Sequence, residues 1–290
     1  TQIACKAVRR ALCGVALTVS KTNQTVQKQK RKSVDNLSLL CYNIRETPHM
    51  QFLCGIADHK GAITMRSDLI YIPDSELDAL IQQDTPYLDL TTLGLDIGDE
   101  PGSLSFYTRE PCVLCCTEEV SRILSKLGLS TAYSLPTGTQ IGAGELFFTA
   151  EGSVCDLHRA WKICQSLLSH CSGVATKARN MLNRVQEISP AISLTAARAH
   201  FPGTKALVTK AVVAGGVIPH RMGLSETVLI YETHIACMGG LDVFLERYPQ
   251  QKSHFCEKKV FVETTSAETA LRCLSVGVDA IQFFQMQPDA

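Results

Sequence analysis

The sequence predicts an α/β protein in two parts, a small mixed α/β layer followed by a parallel sheet curled into an open α/β barrel. Two observations predict it. Between Ser103 and Ala150, strand-like stretches bracket one amphipathic helix. From Ala191 to Phe284, short apolar strands alternate with helices, the signature of a parallel sheet.

Taken in order, Pro73 to Gln83 reads as a helix, because Asp74 or Ser75 can cap it and Leu77, Leu80 and Ile81 recur at helical spacing. Asp89 to Gly102 is turn-rich. Ser103 to Arg109 alternates as a strand through Leu104 and Phe106, and Val113 to Cys116 is a short second one. Thr117-Glu-Glu119 caps a helix with Val120, Ile123, Leu124 and Leu127 on one face, stopped by Gly128. Leu146 to Ala150 is a further strand. Leu157 to His170 is an amphipathic helix carrying the only tryptophan, Trp161, and a second helix runs through Ala175 to Val185.

The alternating part follows. Strands are expected at Ala191–Leu194, Thr227–Tyr231, Lys259–Glu263 and Val278–Phe284. The intervening helices are Thr204–Ala214, Gly240–Tyr248 and Ala267–Leu274. A sheet ending at Phe284 keeps an open edge, so the barrel is expected to be incomplete at its carboxyl end, the sequence stopping short of the remaining strands. The expected boundaries are a basic extension outside the fold at 1–64, an amino-terminal domain at 65–152 and the barrel at 153–290.

Composition narrows the function classes. Hydrophobic residues make up 45% and charged ones 19%, which excludes wholesale disorder, and no apolar run approaches the length of a bilayer span. The net charge of zero hides an uneven distribution: residues 1–64 carry ten Lys/Arg against three acids, and the rest is correspondingly acidic. The compact basic run Gln27–Lys32 could be a nucleic-acid tail, but a solvated linker accounts for it more simply. Ala11–Val19 is apolar behind Arg9 and Arg10, yet a basic run follows in place of a small-residue cleavage site, so no secretory leader is expected. The thirteen cysteines are odd in number and irregular in spacing. Cys112-x-x-Cys115-Cys116 is half a zinc-site spacing with no matching second pair, so buried thiols in a reducing cytoplasm are expected.

The chemistry sits at the carboxyl ends of the expected strands, where α/β barrels bind ligands. Arg198, His220 (reached by its loop), Glu263 and Phe284 all fall near such ends, and Arg221 and Lys205 add cations in the loops beside them. Cations gathered in such places suit a small polyanion carrying phosphates and carboxylates.

These residues resemble a known family. Ser172-Gly-Val-Ala-Thr176, Phe201-Pro-Gly-Thr-Lys205, Lys210-Ala-Val-Val-Ala-Gly-Gly216 and His220-Arg-Met-Gly-Leu-Ser-Glu-Thr227 are similar, in order, to motifs of quinolinate phosphoribosyltransferase (nicotinate-nucleotide pyrophosphorylase). Phe106-Tyr-Thr-Arg-Glu-Pro111 and Leu157-His-Arg-Ala-Trp-Lys162 favour its ModD pyrophosphorylase branch, associated with molybdate transport. The resemblance covers about Leu69 to Ala290. It implies a type II phosphoribosyltransferase fold, an amino-terminal α/β sandwich followed by an open α/β barrel, paired head to tail as a homodimer. It implies transfer of 5-phosphoribosyl from phosphoribosyl pyrophosphate, with Mg²⁺, to the ring nitrogen of a small aromatic acid or base. In the family the acceptor is quinolinate, and decarboxylation gives nicotinate mononucleotide.

By matching motifs, Arg198, His220 and Arg221 bind acceptor or phosphate, with Lys205 and Lys210 as further contributors. Lys162 falls where the family places an arginine that reaches the neighbouring subunit's site. Glu263 matches the family acid beside ribose and metal. Three departures stand out: Ala199 replaces a family lysine, Tyr231 replaces another, and Phe284 stands where an acid is expected. The losses at 199 and 284 are each worth about 2–4 kcal/mol of transition-state stabilisation, so this chain is expected to be weak or inactive. The competing expectation is a catalytically impaired accessory protein of molybdate uptake that binds a phosphorylated or oxyanionic ligand.

Overall fold

The computed structural model describes residues 70–190 and 192–285, together with two strands as backbone, β1 (Gly14–Val19) and β2 (Phe52–Ile56). The basic run at 27–32 and Met65 lie outside the described residues. The chain divides into two compact units, residues 1–220 and 221–290.

In the first unit, β3 (Pro101–Tyr107) lies between β1 and β7 (Leu146–Ser153) in an antiparallel sheet of order β1-β3-β7-β5, with β5 at Ser130–Ser134. The alternation expected of β3 is present: Leu104 and Phe106 are fully buried, opposite Ala150 and Phe148. Phe106 meets Phe148 edge-on at 6.0 Å, and each ring contributes about 1.5–3 kcal/mol by leaving water. The extension at 1–64 was expected to lie outside the fold. Within it, β1 pairs antiparallel with β3, and β2 pairs antiparallel with β8 (Ile192–Ala196). Both are apolar stretches of only five or six residues, too short for periodicity to mark them as strands.

Helix α1 (Asp74–Asp84) forms where expected, but neither Asp74 nor Ser75 caps it. Pro73 holds the N-cap position without a side-chain hydrogen bond, and the Asp74 carboxylate pairs with Arg122 instead. Helix α2 (Leu90–Gly94) starts where the Asp89 carboxylate accepts the Thr91 and Thr92 amides. Helix α3 (Thr117–Lys126) buries Val120, Ile123 and Leu124. Its cap differs from expectation. Cys116, left-handed at φ 67°, occupies the N-cap position, and the Thr137 hydroxyl accepts its amide, while Glu119 turns inward. A two-stranded ribbon of β4 (Cys112–Val113) and β6 (Gln140–Ile141) lies beside it.

The two helices expected at 157–170 and 175–185 are one, α4 (Val154–Ile188), about 52 Å long at 1.5 Å per residue. Gly173 costs such a helix about 1 kcal/mol. Cys171, Ser172, Ala175 and Ala178, buried around it, offset that through packing. The same run ties the β4 edge to the helix: Thr176 Oγ1 accepts the Val113 amide at 2.9 Å and Ser172 Oγ accepts the Cys115 amide at 3.0 Å. Because α4 also packs on β8 and on α5 (Lys205–Ala214), the expected boundary at 152/153 falls inside one compact unit. The α4–α5 contact explains Gly215. A Cβ there would stand 2.5 Å from the Ala175 carbonyl oxygen and 2.6 Å from Ala178 Cβ. Strand β9 (Ile218–Pro219) then pairs in parallel with β8.

The second unit is a parallel sheet of order β10-β11-β12: Val228–Ile230, Val260–Thr264 and Ala280–Phe283. Helices α6 (Glu232–Met238) and α7 (Leu241–Gln251) join the first pair, and α8 (Ala267–Ser275) the second. The core of this unit is Ile235, Phe244, Tyr248, Val260, Val262, Cys273 and Val278. Among the described residues, no helix is long and apolar enough to cross a membrane.

Candidate active site

Arg198 and His220 in the first unit and Glu263 in the second fall at the carboxyl ends of parallel strands, whereas Lys162 and Lys210 lie within helices. In the first, the His220 amide, one residue past β9, donates to the Ala196 carbonyl at the end of β8 (2.9 Å). Arg198, two residues past β8, is exposed at the same edge. The loop from there to α5 is closed by Thr204, whose hydroxyl donates to the Phe201 carbonyl at 2.7 Å, and turns at Gly203, φ +84°. Lys205, exposed, opens α5.

Lys210 departs from the expectation of a substrate contact. It is only 2% exposed, and its ammonium lies 2.7 Å from both carboxylate oxygens of Glu119 and 3.3 Å from Glu118. Burial alone would lower its pKa, yet the pKa is raised, because the hydrogen bonds and charge of Glu119, with Glu118, more than offset desolvation. The ammonium faces the interior of the first unit. Lys162 is exposed on α4, and its Nζ donates to Gln165 Oε1 at 3.3 Å.

In the second unit, the loop after His220 is held by Glu226, whose carboxylate accepts the amides of Met222 (2.7 Å) and Gly223 (2.6 Å). The loop fixes Arg221, 9% exposed, which makes no ion pair with a carboxylate among the described residues. Instead Nη2 donates to the Tyr231 hydroxyl at 2.8 Å, and the guanidinium carbon lies 6.0 Å from the centre of that ring. Tyr231 directly follows β10. Its amide donates to His234 Nδ1 at 2.9 Å and its ring stacks on the imidazole at 5.5 Å and 23°.

On the next strand Glu263 is half-buried, in register with Gln282 of β12, and the Gln282 amide donates to its carboxylate. Burial pushes the Glu263 carboxyl up, the Gln282 hydrogen bond opposes this, and the charge of Glu232 adds to it. Gln282 Oε1 is buried without a partner among the described residues. A half-buried carboxylate, repelled by a second one and flanked by an orphan amide oxygen, is a hard-oxygen donor set that fits Mg²⁺ completed by substrate phosphates. Phe284 continues the ladder, its amide donating to the Thr264 carbonyl at 3.1 Å. The aromatic ring therefore stands at the strand end where an acid was expected.

Sequence reading did not find the Arg221–Tyr231 contact, the Gln282–Glu263 pair or the Glu226 brace. Strand register alone could have paired 263 with 282. The Cys112, Cys115 and Cys116 thiols are buried, as expected of structural cysteines. Among the described residues no cluster of three His, Cys, Asp or Glu is arranged to hold a metal. A cavity of about 430 Å³ lies at the opposite, amino-terminal end of β11. There Lys252 and Lys259 already neutralise Asp279.

Comparison with known proteins agrees with this architecture. The family pattern "Quinolinate phosphoribosyl transferase, N-terminal domain" matches residues 89–172, and the corresponding C-terminal domain matches residues 174–290. The chain is 34% identical over 221 residues to "Putative pyrophosphorylase ModD" of Rhodobacter capsulatus, covering 76% of this chain and 85% of that protein. It is 28% identical over 182 residues to the nicotinate-nucleotide pyrophosphorylase (carboxylating) of Mycobacterium leprae, covering 59% and 63%. Among solved structures, NadC from Streptococcus pyogenes superposes with a TM-score of 0.66 at 21% identity, over 78% of each chain. The fold is therefore that of the type II phosphoribosyltransferases, an amino-terminal α/β sandwich followed by an open α/β barrel. The chain belongs to the quinolinate phosphoribosyltransferase family, on its ModD branch.

Proposed function

We propose that the protein transfers 5-phosphoribosyl from phosphoribosyl pyrophosphate to the ring nitrogen of a small aromatic acceptor. The observation that carries this reading is Arg221, a buried guanidinium that makes no ion pair with a carboxylate among the described residues, the charge of Glu263 acting on it only from beyond ion-pair distance. Burying an unpaired cation is costly, and an oxyanion ligand relieves the cost. Arg198, His220 and Lys205 supply further donors for phosphate at the β8–β9 strand ends.

In the reaction the C1–pyrophosphate bond breaks as the acceptor nitrogen forms the new C–N bond, and the ribose carbon becomes cation-like in between. Glu263, ionised, stabilises that positive charge, and the cationic side chains hold the departing pyrophosphate. Glu263 and Gln282 Oε1 would hold Mg²⁺, which when bound neutralises charge on the leaving group. Where quinolinate is the acceptor, loss of CO2 gives nicotinate mononucleotide and pyrophosphate. The protein acts as a head-to-tail homodimer, in which exposed Lys162 of one copy serves the site of the other.

The test is pyrophosphate release from phosphoribosyl pyrophosphate and Mg²⁺ with a panel of pyridine and purine acceptors. Slow, acceptor-dependent release is expected, because Ala199 and Phe284 together remove a cation and an acid. Absence of release with every acceptor would overturn the enzyme reading. The Phe284 ring at the end of β12 favours the second reading, an accessory binding protein linked to molybdate uptake. Tight molybdate or phosphate binding without turnover would support it.

A further inference from the structure

The loop between β8 and α5 holds its backbone firmly and turns an aromatic ring out to water. The Phe201 carbonyl accepts the Thr204 hydroxyl at 2.7 Å, the Thr204 amide at 3.1 Å and His200 Nδ1 at 3.3 Å. The His200 amide in turn donates to the Arg198 carbonyl at 3.0 Å. The Phe201 ring takes no part in this bracing. It is 76% exposed, and among the described residues no other ring stacks on it and no cation lies over it.

One exposed phenyl ring is ordinary on a protein surface; its setting here is not. The sequence has no Asp or Glu between Glu187 and Glu226. Exposed Arg198 and Lys205 flank Phe201 in the same loop, and neither is in an ion pair among the described residues. Between residues 189 and 220 no other large hydrophobic side chain among the described residues is exposed. A protein partner would need about 800 Å² on each side, several times the area of one ring. An apolar face one ring wide, set between unpaired cations, fits a planar aromatic anion instead. The rings stack, and the negative groups meet the cations.

We propose that Phe201 is a specificity-determining residue that stacks on the ring of the aromatic acceptor and selects planar anions over saturated ones of equal charge. The inference rests on the phosphoribosyl-transfer reading for the acceptor's place in the reaction. It goes beyond that reading in assigning the residue that recognises a flat ring.

The experiment is calorimetric titration of the full chain with two pairs of acids, equal in charge within each pair. Quinolinate is compared with cis-cyclohexane-1,2-dicarboxylate, and nicotinate with cyclohexanecarboxylate. Wild type is expected to bind at least one planar acid about tenfold or more tightly than its saturated counterpart. Phe201→Ala should lose most of that preference, and so should Phe201→Leu, which keeps apolar area without a flat face. Phe201→Trp should retain it, and quenching of the added indole by the planar acid reports the contact directly. Each substitution leaves the carbonyl bonds of the loop in place, so denaturation midpoints should not move. The salt dependence of binding, set by the cations, should also stay as it is.

A preference unchanged in Phe201→Ala, or kept in full by Phe201→Leu, would overturn the stacking role. Equal binding of planar and saturated acids by wild type, or binding of none of the four, would do the same. So would loss of dimer in Phe201→Ala at unchanged ligand affinity, which assigns the ring to a contact between copies. Pyrophosphate release is scored separately. A planar preference carried by Phe201, without release with any acceptor, keeps the stacking role and removes the transferase reading. Release whose acceptor Michaelis constant is unmoved in Phe201→Ala does the reverse.

Discussion

Replacing Lys210 with Met separates a structural cation from a substrate-binding one. The ammonium is 2% exposed and bridges both oxygens of Glu119 at 2.7 Å, and Glu119 is 3% exposed. Methionine fills much of the same volume and removes the charge, leaving the Glu119 carboxylate buried without its cation. Removing one partner of a buried pair costs about 3–5 kcal/mol. Substituting both, Lys210→Met with Glu119→Leu, removes the stranded charge and should return stability to within about 1 kcal/mol of wild type.

The pH dependence has a definite sign. The folded pKa of Lys210 is raised, so its contribution is fully present below the unfolded value of 10.5 and is lost as pH rises through the folded one. Urea denaturation of the full chain measures the loss, and the Michaelis constant for phosphoribosyl pyrophosphate is followed in parallel. A loss under about 1 kcal/mol, or a tenfold rise in that constant at unchanged stability, would refute the structural role and return Lys210 to the substrate.

Further expectations follow from the same geometry. Glu263→Gln should abolish transfer while raising stability at neutral pH. The folded carboxyl pKa lies above the unfolded 4.5, so its ionisation disfavours folding as pH rises through the folded value, and the gain should vanish in acid. Denaturation midpoints at pH 4 and 7.5 check it. Gly215→Ala drives a methyl into the α4 backbone and should cost about 1–3 kcal/mol by overpacking, read from the same urea curves. Native-state alkylation near pH 8, mapped by peptide mass, should label exposed Cys237 and Cys256 and spare Cys112 and Cys164. Burial pushes those two thiols up to about 11 and about 12.

Much of the barrel part was legible because its strands are short apolar runs bounded by turns, and its helices carry one apolar face. Sequence missed what packing alone decides. The break expected between 170 and 175 follows from Gly173, whose local cost is outweighed by the buried flank of α4. Glu119 reads as a capping acid because its spacing from the helix start suits one; only the fold brings Lys210, 91 residues away in sequence, against it. The strands at 14–19 and 52–56 were not legible as strands, since periodicity over five or six residues carries little weight and their pairing partners lie far along the chain. Strand-end Arg221 and Glu263 could be picked out by motif. The Tyr231 contact could not, because a tyrosine after a strand is ordinarily just a half-buried aromatic.

The central claim is that Arg221 and its strand-end neighbours grip a phosphoribosyl donor for transfer to a ring nitrogen. Its most direct test is chromatographic detection of a mononucleotide formed from phosphoribosyl pyrophosphate, Mg²⁺ and an aromatic acceptor by the full-length chain. The expected result is a new nucleotide in equal amount to the pyrophosphate released, reduced about a hundredfold or more in Arg221→Ala. No nucleotide with any acceptor, or an undiminished rate in Arg221→Ala, would contradict it.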